Sequence, residues 1–114
     1  MTTQPRFVNC TPHEITVLND VGELVLSPSG IIPRVSQSPL VPAMTIMGVQ
    51  MLQGGEFGEV EGLPAPEEGV LYVVSGMVFG ATDRKDVVAP ATDPANVIRN
   101  DKGHVIGVRA FRMK

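Results

Sequence analysis

The chain has 114 residues, 43% of them hydrophobic and 18% charged, with a formal net charge of −3. That length suits a single domain over residues 1–114, and the apolar share is enough for a core, which excludes a disordered chain. The negative balance excludes a general nucleic-acid binder, and no apolar run approaches the roughly 20 residues that cross a bilayer as a helix.

Aromatics make up only 4% and there is no Trp, so the core must be aliphatic. Ten Pro and twelve Gly predict many turns and short strands rather than long helices. Cys10 is the lone cysteine, which rules out an intrachain disulfide and points to a reducing, cytoplasmic setting. No apolar run follows a charged start, so no signal peptide is expected.

Residues 1–5 are polar and expected to be loose. Phe7 to Cys10 reads as a short strand ended by Thr11-Pro12. His13 to Leu18 and Glu23 to Leu26 form a hairpin around the turn Asn19-Asp20-Val21-Gly22. Ile31 to Val35 carries Pro33 and reads as an edge strand. Ala43 to Leu52 is apolar on both alternating sets, Met44 and Ile46 against Met47, Val49 and Met51. It reads as one strand covered on both sides, either as core or as a subunit contact.

Glu56 to Glu61 is acidic and extended, and Leu63-Pro64-Ala65-Pro66 is a rigid turn. Residues 70–75 form a buried strand that stops at Ser75, and residues 76–82 carry the single predicted helix, with Ser75 as its N-cap. Asp86 to Ala89 is a further strand. Asn96 to Phe111 is a hairpin around Asn100-Asp101-Lys102-Gly103. In its second arm Ile106, Val108 and Ala110 form the core set, and Arg109 points away with Phe111. The predicted fold is mainly β (α+β): a compact antiparallel sheet pair or partly open barrel with one short helix.

Catalytic signals are weak. His13 and His104 have no metal-ligand spacing. His13 suits a turn-fixing role, and His104 a solvated one. Ser75 lacks the setting of a nucleophile elbow. Cys10 reads as a buried, inert thiol. Glu59 and Glu61 share a strand face and could act as acid and base or hold a cation, but a solvated edge that deters sheet pairing explains them better. No enzyme activity, metal or cofactor is therefore expected.

Binding signals are stronger. Residues 1–68 hold two basic and eight acidic side chains, whereas residues 69–114 hold seven basic and four acidic ones. An anionic ligand belongs with the second half, unless the two halves simply attract each other. The helix start at Ser75 offers free backbone N–H groups to an anion. Arg84 can serve the same ligand or pair with Asp83 or Asp86, and Arg99 can pair with Asp101. Arg109 and Arg112 have no acidic neighbour in sequence, so they are the preferred ligand groups. Arg112 can reach the same anion as Arg109 if the strand ends or bends near Phe111. Phe79, Phe111 and Tyr72 are the rings available for stacking.

Three segments together resemble a group of small phage and prophage proteins. They are Asn9-Cys10-Thr11-Pro12-His13, then Gly58 to Pro66, then Tyr72-Val73-Val74-Ser75 leading to Arg84-Lys85-Asp86-Val87-Val88-Ala89-Pro90. Some small phage proteins of this size resemble the first family of Thoeris anti-defence proteins, and the chain is similar to them in size and type. Members of that family oligomerise and sequester cyclic ADP-ribose isomers made by bacterial TIR enzymes without cleaving them. The resemblance implies a homo-oligomeric sponge in the host cytoplasm during infection, with Arg109 and Arg112 gripping the ligand and Phe79 stacking on it. The alternatives are a small structural component of a phage virion and, less well supported, a small hydrolase.

Overall fold

A computed structural model describes residues 5–114, so the expectation of a loose N-terminus lies, for residues 1–4, outside the described residues. In chain order the strands are β1 (Arg6–Asn9), β2 (Ile15–Asn19), β3 (Gly22–Leu26), β4 (Arg34–Gln37), β5 (Leu40–Ile46), β6 (Val49–Gly54), β7 (Phe57–Glu61) and β8 (Val70–Val73). Helix α1 (Gly76–Ala81) follows, then β9 (Val87–Pro90), β10 (Val97–Arg99), β11 (Val105–Val108) and β12 (Phe111–Met113). Among the described residues the chain is mainly β with one short helix, as its Pro/Gly punctuation predicts, and the sheets do not close into a barrel. The helix is not long and apolar enough to cross a membrane.

Two four-stranded sheets form the body, one ordered β1-β8-β9-β12 and the other β10-β11-β2-β3. Their pairing is mixed rather than wholly antiparallel: β1 with β8, β8 with β9 and β11 with β2 run parallel. The reason is local for β8 and β9. A helix between two strands reverses the chain twice, so the strands re-enter the sheet in one direction. Ser75 sets this crossover. Its hydroxyl accepts from the Val78 N–H at 3.3 Å, and its carbonyl starts the helix by accepting from Phe79 N–H at 2.9 Å.

The main core cluster lies on one face of the first sheet, beneath α1, and Val73 and Val88 on the opposite face of the same strands are buried as well. Cys10, Val70, Tyr72, Val74, Val78, Phe79, Val87 and Ala89 form the main cluster, with Val8, Ile31, Val60 and Leu63 packed at its margin. It is aliphatic apart from two rings, as composition requires. The rings of Phe7 and Phe111, carried by the two edge strands of that sheet, meet edge to face at 5.1 Å.

Two expectations are corrected. The arm expected as one strand over 104–111 is two strands in different sheets. β11 ends at Val108 and β12 begins at Phe111. At the crossing Arg109 N–H donates to Asn96 O (2.8 Å), and Ala110 O accepts from Ala91 N–H (2.9 Å), so the backbone stays satisfied as it changes sheets. The alternation therefore breaks, and of the expected core set Val108 is buried while Ile106 is 53% exposed.

The second correction is larger. The strand expected over 43–52, covered on both sides, is a hairpin whose residues are all exposed. It turns at Met47-Gly48, both with positive φ (50° and 80°), the geometry of a two-residue turn that matches strand twist. The ribbons β4–β7 and β5–β6 follow one another, so residues 34–61 form one long hairpin with a kink in it. At the kink Ser38 N–H donates to Glu56 O (2.9 Å), and Gly55 N–H donates to Ser38 O (3.1 Å). Gly54 has φ 110°, and a Cβ there would run into the Pro39 carbonyl. The base of the hairpin packs on α1, and Pro33 delays its first strand to Arg34. The outer half projects, giving a radius of gyration of 17.5 Å and extents of 59 × 40 × 23 Å. A compact chain of about 100 residues has a radius of about 13 Å.

Candidate functional site

The three segments that carry the phage-protein resemblance turn out to be fastenings of the fold. Asn9 is 2% exposed, and its side chain uses all four hydrogen-bonding positions. Its Nδ2 donates to the carbonyls of His13 (2.8 Å) and Leu26 (2.9 Å). Its Oδ1 accepts from Thr11 N–H (3.0 Å) and Thr11 Oγ1 (2.7 Å). The expectation that the His13 ring fixes this turn is thus corrected. The carbonyl of His13 takes part, while the turn is held by Asn9 and Thr11. Cys10 is buried, and burial pushes its thiol pKa up, with a smaller opposing effect from the Ser29 side chain. That is the environment of an inert thiol.

The second and third segments clasp each other. Tyr72 Oη donates to Ala65 O at 3.1 Å, and Arg84 Nη1 donates to Pro64 O at 2.8 Å. Arg84 also makes a two-pronged ion pair with Asp86, at 2.9 Å through Nε and 2.6 Å through Nη2. Its guanidinium lies 5.7 Å from the Tyr72 ring centre. The paired guanidinium holds the Asp86 carboxyl below the usual range. Arg84, expected among the ligand groups, has its planar fork committed within the protein. Tyr72 is buried and therefore closed to stacking.

What remains is a pair of cations on one ring. Arg112 and Lys114 alternate along and just past β12, so they share a face, the one that meets α1. The Arg112 guanidinium carbon stands 5.0 Å from the Phe79 ring centre, and Lys114 Nζ stands 4.3 Å from it. Both cations are exposed, and among the described residues neither has an acidic partner within ion-pair distance. Phe79 itself is 5% exposed. The two cations lie over its ring, and little of the ring is open to solvent. Ser75 lies at the start of the same helix, its hydroxyl engaged in the cap. Lys114 was missed in sequence, although its spacing of two from Arg112 carried the signal.

Arg109 does not join this pair. It lines an open groove of about 270 Å³ with Leu18, Asn19 and Asp20, where the aspartate opposes an anion. Arg99 donates to Gly103 O (2.7 Å) rather than to Asp101. Phe111 faces Phe7 on the other side of β12. Glu59 and Glu61 are exposed on β7, and among the described residues no three His, Cys, Asp or Glu side chains cluster as metal ligands. No protein-family model, curated protein or solved structure matches the chain.

Proposed function

We propose that this protein binds a phosphorylated small molecule without turning it over, through Arg112 and Lys114 held on Phe79. The observation behind this reading is that two exposed cations, unpaired among the described residues, converge on one buried ring. A guanidinium presents a planar fork to phosphate oxygens, and an ammonium adds a point charge beside it. The ring reduces the conformational freedom lost on binding. The resemblance to anti-defence sponges makes a cyclic ADP-ribose isomer the first ligand to try, in the cytoplasm of an infected cell. The patch is open rather than enclosed, so a ligand of that size would need a second copy to cover it.

The test is to mix purified protein with cyclic ADP-ribose isomers made by TIR enzymes, separate the two, heat the protein and assay what it releases. Intact nucleotide recovered only after heating is expected. Arg112→Ala and Lys114→Ala should each weaken binding about tenfold or more, and Arg109→Ala should change it little. Nucleotide left free and unchanged would rule out these ligands. Equal binding by the Arg112→Ala/Lys114→Ala double variant would rule out the site.

A structural role in a virion is the second reading, favoured by the projecting, uncharged arm. It predicts that the protein copurifies with particles, and its absence from purified virions would remove it.

A further inference from the structure

The outer hairpin has a feature that its sequence hides. In the register Ile46 opposes Val49 and Met44 opposes Met51. Opposed residues in an antiparallel pair point to the same side. The turn at Met47-Gly48 therefore lays the two apolar sets of the sequence onto one face. The irregularity between Pro42 and Met44 brings Val41 onto that face as well, opposite Gln53. Val41, Met44, Ile46, Val49 and Met51 form a continuous apolar strip. The reverse face is mixed, with Thr45 and Gln50 beside Leu40, Pro42 and Leu52.

All five strip residues are about half exposed, and no charged side chain occurs between Arg34 and Glu56. A two-stranded ribbon with one uncovered apolar face is marginal in water by itself. It gains stability when that face is covered.

We infer that the apolar strip packs against the same strip of a second copy about a twofold axis, making a two-layer β-contact between the projecting arms. Three observations select a second copy. The strip carries no charge, so its complement must be uncharged too. The apolar groove between Ile15, Pro90, Val105 and Ile106 holds only about 210 Å³ and is bordered by Glu14, too small for five side chains and of the wrong charge at its rim. The arm itself has the needed length, about 23 Å for seven residues, and the needed composition. A twofold contact is self-complementary, and Met44 and Met51 at its centre adapt to each other without a fixed shape.

One face of such an arm is smaller than the roughly 800 Å² per partner of a standard interface. The dimer should accordingly depend on concentration. The inference is independent of the anion site and stands or falls without it.

Sedimentation velocity across a concentration series tests it. The native chain should shift from monomer to dimer, and Met44→Lys/Met51→Lys should stay monomeric, its apparent dissociation constant raised about 100-fold or more. Thr45→Lys/Gln50→Lys, with the same charge on the reverse face, should dimerise like the native chain. Val49→Glu, a single change on the strip, gives an independent check should the double variant fold poorly. A native chain that is monomeric up to about 1 mM overturns the inference, and so does equal loss of dimer from changes on either face.

Discussion

At the residue scale, side-chain hydrogen bonding decides which polar groups are fastenings and which are free to bind. Asn9 illustrates the first kind. Asn9→Ala removes four hydrogen bonds and strands buried donors and carbonyls, at a cost of about 2–4 kcal/mol by chemical denaturation. Asn9→Asp should be at least as harmful, because a carboxylate would face the His13 and Leu26 carbonyls. Arg84 and Asp86 are a second fastening, with a pH signature. Pairing lowers the folded-state pKa of Asp86 below its unfolded value of about 3.9. The stabilisation is therefore complete above about pH 5 and is lost as pH falls through the unfolded and then the folded pKa. Asp86→Asn should cost about 1–3 kcal/mol at neutral pH and should flatten the loss of stability below pH 4. A melting-temperature series against pH reads both effects. The sequence offered Arg84 as either ligand or ion pair, and local spacing could not choose. The carbonyl of Pro64, twenty residues away, completes the choice.

At the element scale, local chemistry was largely legible. Ser75 is the helix cap, Gly22 and Gly103 lie in hairpin turns, and the strands fall near their expected places. Two elements escaped, the first because alternation has no sign for a turn that lacks the usual residues. Met47 in a left-handed conformation is unusual, since that position favours Asn or Gly. It is also 98% exposed, so no packing compensates. Met47→Asn should stabilise the arm by about 1 kcal/mol, seen as stronger amide-exchange protection in β5 and β6. The break at Arg109-Ala110 escaped for another reason. Its partners, Asn96 and Ala91, belong to different segments, and no local pattern announces a strand that changes sheets.

At the scale of the whole molecule, a small body carries a long arm. Residues 36–54 contribute nothing to the buried core. Replacing Leu40–Gly54 by Asn-Gly should leave the body's unfolding free energy within about 0.5 kcal/mol of the native value at low protein concentration, because stability gained through association is then absent from both. A larger loss would mean that the arm supports the body directly. The sequence by itself determined the class of the fold, the aliphatic core, the capped helix and the basic character of the C-terminal half. Each of these follows from composition or from contacts within a few residues. Tertiary structure alone decided which basic groups stay free, that Arg112 and Lys114 meet on Phe79 while Arg109 stands apart, and that the Met-rich segment projects instead of filling the core. Those outcomes depend on which distant carbonyl, carboxylate or ring arrives beside a side chain, and residue spacing along the chain does not encode that arrival.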